Sequence, residues 1–190
     1  GKRGVLFLSN PFDEESCDFL ESLGLPAFKL PSGELTNLPF LAHVAGKGKP
    51  VILSTGMATL REVDAAVSTL VDSGNKLLVL LQCVSEYPAD PKEANLRAMA
   101  SMGASFGFPV GFSDHTPGIA VAIAAAALGA CVLEKHFTLD RAMPGPDHRA
   151  SIEPKDLTEM VRGIGIAESA LGDGEKLPAA GEAAIASMAR

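Results

Sequence analysis

The 190-residue chain has no tryptophan and a single tyrosine, Tyr87. Its three cysteines, Cys17, Cys83 and Cys131, are odd in number and show no paired spacing. That excludes a disulfide framework and reads as free thiols in a reducing compartment, so the expected location is cytoplasmic. Basic residues are in the minority: 16 Lys and Arg against 23 Asp and Glu give a formal charge of −7. A basic stripe for nucleic acid is therefore lacking, although a local cluster can still hold an anion. No apolar run has membrane-spanning length. The longest, residues 119–133, is rich in Ala and ends on Glu134-Lys135-His136, which suits a buried helix followed by a strand. The opening has no h-region of a secretory leader, and no low-complexity tract occurs. Hydrophobic residues at 47% and charged residues at 21% are ordinary globular usage, so disorder is not expected over most of the length. The first residue is Gly1 rather than Met, which points to a removed leader or a fragment; the pattern below favours a fragment.

Short apolar runs rich in Val, Ile and Leu recur at residues 4–8, 27–30, 51–53, 76–81, 110–112 and 131–133. Each is too short for a typical helix and reads as a buried strand. Stretches of helical period lie between them. Phe19, Leu20 and Leu23 follow Asp13-Glu14-Glu15. Leu60, Val63, Ala66, Val67 and Leu70 follow Thr59, a candidate N-cap. Leu96, Met99 and Met102 form a weaker stripe, residues 119–128 are apolar nearly all round and expected to be well buried, and Leu157, Met160, Val161 and Ile164 close the series.

Strands alternating with helices predict an α/β fold with right-handed crossovers and a parallel sheet. Six units suit either an open doubly wound sheet or part of a barrel. Polar residues follow almost every strand: Ser9-Asn10, Ser32-Gly33-Glu34, Ser54-Thr55-Gly56, residues 82–87, Ser113-Asp114-His115 and Glu134-Lys135-His136. In a barrel all such ends meet at one mouth, whereas an open sheet gathers only those near its switch point. The prediction is a partial TIM (β/α)8 barrel of six βα units. A full barrel has eight units in roughly 250 residues. The six are therefore read as strands 3–8, with the first two strands missing. The barrel domain is placed at residues 1–172 and a tail or linker at 173–190.

Four constellations carry chemistry. His115 and His136 each sit just past a strand in consecutive units, which makes them neighbours at one barrel rim. Two imidazoles with no Cys beside them suit a catalytic divalent ion with open positions. In extended chain, residues two apart share a face, so Ser113 should point with His115 and Glu134 with His136, while Asp114 and Lys135 point away. A lone strand-end His more often makes an ordinary hydrogen bond; the pairing at equivalent ends favours the ion. Lys29 lies inside an apolar strand, where an ammonium is costly without a partner. With Ser32 it could grip a carboxylate or phosphate, form a Schiff base, or simply reach to the rim. Ser54-Thr55-Gly56-Met57 is a weak phosphate-turn signal that equally suits helix capping. The stiff loop Pro144-Gly145-Pro146-Asp147 offers Asp147 to sugar hydroxyls, or is a solvated turn.

Seven segments together resemble the sialic-acid synthase family, which includes N-acetylneuraminate and legionaminate synthases and spore-coat polysaccharide relatives. They are residues 7–13 (FLSNPFD), 28–37 (FKLPSGELTN), 50–57 (PVILSTGM), 82–88 (QCVSEYP), 111–116 (GFSDHT), 134–140 (EKHFTLD) and 144–151 (PGPDHRAS). The two histidines stand 21 residues apart, as that family's metal pair requires. The resemblance implies a synthase, a C–C bond-forming transferase that condenses phosphoenolpyruvate with N-acetylmannosamine or a related amino-sugar aldose. Its products are a nine-carbon 2-keto sugar acid and phosphate. It implies a divalent metal on His115 and His136, Mn²⁺ first with Mg²⁺ or Co²⁺ as alternatives. It places Lys29, Ser32, Ser54 and Ser113 on phosphoenolpyruvate, Glu34 near the reacting carbons, and Tyr87 and Asp147 on the sugar, with Glu134 a weaker candidate. It also implies a homodimer for the full-length protein and a C-terminal antifreeze-like domain beyond Arg190. Asn10 stands where the family commonly has Thr, and Gln82 replaces a frequent His. The other readings are a Schiff-base aldolase through Lys29, a keto-deoxy sugar phosphate synthase, and a non-catalytic fragment, inactive alone.

Overall fold

The computed structural model describes residues 3–189. Five parallel strands lie in chain order: β1 Phe28–Leu30, β2 Val51–Ser54, β3 Leu78–Cys83, β4 Val110–Asp114 and β5 Leu133–Lys135. Helices α1 Glu14–Ser22, α2 Leu38–Ala45, α3 Leu60–Asp72, α4 Arg97–Phe106, α5 Ala120–Ala127 and α6 Pro154–Leu171 punctuate them, and α7 Ala183–Ala189 ends the description. The sheet is curled rather than flat: the Lys29 ammonium on β1 reaches the Glu134 carboxylate on β5 at 3.3 Å across the concave side. This is an α/β half-barrel with its helices outside.

Strand pairing separates two faces. Phe28, Leu30, Val51, Leu53, Leu78, Leu80 and Phe112 point outward and are buried under the helices. Lys29 and Ile52 pair across β1 and β2, and Ser113 and Glu134 across β4 and β5, on the inward face. The strand step of two residues therefore sends the apolar set to the core and the polar set to the lumen. Helix α3 begins at a capping box: the Thr59 hydroxyl accepts from the Glu62 amide while the Glu62 carboxylate accepts from the Thr59 amide. Two orphan donors at the helix start are satisfied together, which stabilises it by about 1 kcal/mol.

Several sequence expectations need correction. Residues 4–8 form no strand; Val5, Leu6 and Phe7 are 72%, 74% and 66% exposed, and the sheet has five strands, not six. A strand persists only where a neighbour takes its backbone groups. The available neighbour, β1, is three residues long and lies between Pro26 and Pro31, which donate nothing. Strands β3, β4 and β5 run two residues further toward the polar end than the apolar runs suggested, because Gln82, Ser113, Asp114, Glu134 and Lys135 continue the ladder. Helix α5 is only half-covered: Ala122, Ala125 and Ala126 are buried, while Leu128 at its end is 58% exposed. Helix α2, with a proline in its first turn, buries Phe40, Leu41, Val44 and Ala45 on one face and was not anticipated.

Gly111 sets how closely β4 and β5 approach. A Cβ there would collide with the Val132 carbonyl oxygen and lie 2.6 Å from Leu81 Cδ2. Backbone cannot yield as a side chain can, so Gly111→Ala is expected to destabilise the fold by about 1–3 kcal/mol. A fall in the urea midpoint at constant slope checks this.

Candidate active site

The inward positions at the strand ends converge on one cavity of about 580 Å³, walled by Lys29, Ser32, Ser54, Tyr87, Ser113, His115, Glu134, His136 and Asp147. Every residue predicted for the site except Glu34 is on that wall. Glu34 sits in the short 3₁₀ turn Ser32–Glu34, and its carboxylate accepts from the Asn37 side chain at 2.8 Å. The carboxylates brought to the cavity are those of Glu134 and Asp147.

The two imidazoles lie together, with ring centroids 5.2 Å apart. His115, at the end of β4, is 5% exposed. Its Nδ1 is 2.7 Å from the Val84 carbonyl oxygen. A carbonyl only accepts, so Nδ1 is the donor here and Nε2 is the ring nitrogen left for a ligand. His136 follows β5, half-buried, with Nδ1 3.9 Å from an Asp147 carboxylate oxygen. Burial, and after it the neighbouring His115, push the His136 pKa below the usual imidazole value, which favours the neutral form. Tyr87 packs over both rings, with centroids 4.3 Å from His115 and 5.4 Å from His136. Burial is the main cause that raises its phenol pKa, keeping the hydroxyl a donor. The β3–α4 loop is tied down beside it, the Ala89 amide donating to the His115 carbonyl at 3.0 Å.

The opposite wall is built for negative charge. Lys29 is 7% exposed. Its ammonium donates to the Leu30 carbonyl at 3.1 Å and pairs with Glu134, whose second oxygen accepts from the Ser113 hydroxyl at 2.9 Å. Beside them the buried Ser54 hydroxyl has no hydrogen-bond partner among the described residues. An unmade bond of that kind is costly unless a ligand completes it. The Ser32 hydroxyl accepts from the Gly56 amide at 2.9 Å.

The loop bearing Asp147 is an excursion pinned at its base. The Ile152 amide donates to the His136 carbonyl and the Thr138 amide to the Ile152 carbonyl, both at 2.9 Å. His148 Nδ1 lies 2.7 Å from the Thr138 hydroxyl. Cys83 and Ser85 also line the cavity and were not expected there. Counting by twos from Cys83 through Ser85 to Tyr87 would have put all three on one face.

The donors at the His pair suit a divalent ion: one imidazole has its Nδ1 committed to the Val84 carbonyl, burial favours the neutral form of the second, and the Asp147 carboxylate stands beside it, with Glu134 across the cavity. Another group of possible ligands occurs among the outer helices, where atoms of buried Cys17 and of Asp18 and His43 lie within 4.8 Å of one another. Those groups are already engaged. The Asp18 oxygen accepts from His43 at 2.7 Å and from Lys47 at 2.6 Å, and burial pushes the Cys17 thiol up to about 11. Among the described residues, no helix is long and apolar enough to cross a membrane.

Comparisons with known proteins agree with this architecture. A sequence profile of the NeuB family matches residues 1–176. N,N'-diacetyllegionaminic acid synthase of Legionella pneumophila is 50% identical over 191 residues, covering 98% of this chain and 54% of that protein. N-acetylneuraminate-9-phosphate synthase of Mus musculus is 42% identical over 174 residues, covering 91% and 48%. The crystal structure of N-acetylneuraminic acid synthetase from Leptospira borgpetersenii, in complex with citrate, superposes with a TM-score of 0.90 at 36% identity, over 98% of this chain and 65% of that one. A truncated 3-deoxy-D-arabino-heptulosonate 7-phosphate synthase from Thermotoga maritima shares the fold, with a TM-score of 0.78 at 18% identity. The chain spans about half the length of the curated relatives it matches. By profile, sequence and structure alike, the chain belongs to the NeuB family.

Proposed function

We propose that the intact protein condenses phosphoenolpyruvate with an amino-sugar aldose, N-acetylmannosamine or a diacetamido relative, to give a nine-carbon 2-keto sugar acid and inorganic phosphate. The observation that carries this is one cavity with a buried ammonium and an unpartnered hydroxyl on one wall and two adjacent imidazoles on the other. Lys29, Ser54, Ser32 and Ser113 hold the carboxylate and phosphate of phosphoenolpyruvate, displacing or sharing the Glu134 carboxylate that now occupies Lys29. His115 and His136 hold a divalent cation, Mn²⁺ in the first instance, which supplies Lewis-acid polarisation of the aldehyde oxygen when bound. Tyr87 and Asp147 take the sugar hydroxyls. The enol carbon forms the new bond to the aldehyde carbon, water adds at the enol-ether carbon, and the C–O bond to phosphate breaks. Positive charge develops at that enol-ether carbon, and Glu134 is the carboxylate on the cavity wall able to face it. Much of the acceleration comes from holding the two reactants in register. The Lys29–Glu134 ion pair disfavours the Schiff-base alternative, because the nitrogen is engaged by Glu134 at 3.3 Å and by the Leu30 carbonyl at 3.1 Å. A cytoplasmic homodimer is the assembly that goes with this reading.

The test is phosphate release by the intact protein. Release should require both phosphoenolpyruvate and the aldose, match a keto acid mole for mole, cease with chelator and return with Mn²⁺. Release without the aldose, or turnover indifferent to chelator, overturns the assignment.

A further inference from the structure

The residue preceding each histidine belongs to a second, hidden constellation. Asp114 and Lys135 are directly paired in the β4–β5 register and face away from the cavity, toward the helices. Their side chains are 1% and 3% exposed and meet at 2.8 Å. Asp114 uses its other oxygen to accept from the amide and the hydroxyl of Thr116, at 2.8 and 2.7 Å. Lys135 donates in turn to the Thr116 carbonyl at 2.8 Å. The chain on both sides of His115 and the strand just before His136 therefore hang from one pair of buried charges.

Stability alone is a poor account of this arrangement. Two residues earlier on the same face, Phe112 pairs with Leu133 and joins the strands through apolar packing. A buried ion pair is seldom more stabilising than well-packed apolar side chains, but it fixes geometry, since each hydrogen bond has a direction. Here the fixed geometry is the separation of two side chains that must share one ligand.

We propose that Asp114 and Lys135, with Thr116, are positioning residues that set the spacing of His115 and His136 for a divalent cation. The proposal rests on the metal reading of the site given above. Its test is Mn²⁺ titration calorimetry on the intact protein, with thermal unfolding and phosphoenolpyruvate affinity measured alongside. Asp114→Asn and the apolar double variant Asp114→Leu/Lys135→Met should bind Mn²⁺ about 10–100-fold more weakly. They should bind phosphoenolpyruvate nearly as wild type, because Lys29, Ser32 and Ser54 are carried by β1, the turn after it and β2, away from the β4–β5 ion pair. A merely structural role would lower the unfolding temperature and leave Mn²⁺ affinity of the folded protein unmoved, and that result overturns the proposal. Should those variants not fold, Thr116→Val decides: it removes one hydroxyl and keeps the ion pair, and it should weaken Mn²⁺ several-fold. A wild-type protein that binds no Mn²⁺ is a different failure, since it sinks the reading of the site itself and this proposal with it.

Discussion

His136→Ala is expected to lower turnover and Mn²⁺ affinity by about 10³-fold or more while leaving the fold intact, because an ion-derived term of several kcal/mol is withdrawn. The physical case is that His136 is only half-buried and makes no short hydrogen bond that its loss would orphan. His115 is different. Its ring is buried and its Nδ1 proton is bound to the Val84 carbonyl at 2.7 Å, so His115→Ala would also release that carbonyl and cost stability. His115→Gln, which can still donate to Val84, separates the two effects. The expected pattern is near-wild-type unfolding for His136→Ala, a modest drop for His115→Gln, and comparable loss of metal in both. Calorimetry with Mn²⁺ and a steady-state phosphate assay check it. Wild-type metal affinity in either variant would mean that the imidazoles are not ligands.

The second large effect is expected at Lys29. Truncating one partner of a fully buried charge pair typically costs about 2–5 kcal/mol; here Lys29 is buried but the Glu134 side chain is 40% exposed, so the lower part of that range applies. Lys29→Met keeps the length and apolar stem, so the strand should still pack, but it leaves Glu134 facing the anion with no counter-charge. The KM for phosphoenolpyruvate should rise about 10²-fold, with the sugar KM much less affected and Mn²⁺ affinity near wild type. Lys29→Arg is not a conservative rescue here, because a planar fork in place of a point ammonium must displace Leu30 or Glu134 contacts. Substrate-specific KM values and direct binding of phosphoenolpyruvate to the metal-free protein check the prediction.

How much of this was legible in the sequence depends on the range of the interaction involved. The histidine pair and Lys29 were readable because each breaks a local rule: an ionisable group at the end of, or inside, an apolar strand demands a reason. Ser113 with His115 and Glu134 with His136 followed from the two-residue period, as did the outward direction of Asp114 and Lys135. What failed was whatever depended on a neighbour. Residues 4–8 have strand-like composition but no ladder partner among the described residues. Glu34 lies one residue from Gly33, in a motif that reads as active-site chain, yet a local turn delivers its carboxylate to Asn37. The Lys29–Glu134 pair joins the first and last strands, and only the curl of the sheet reveals it. Beyond β1, the apolar runs also ended the strands too early, since a lumen that narrows to a polar mouth lets polar and charged residues continue the ladder.

The placement of Tyr87 has a practical side. With no tryptophan in the chain and no other tyrosine, emission excited at the long-wavelength edge, where the nine phenylalanines do not absorb, originates in this segment at one ring. That ring rests on both imidazoles, 4.3 and 5.4 Å away. A proton or an ion arriving there changes the quenching of that single fluorophore, so occupancy of the barrel mouth can be followed optically without any label.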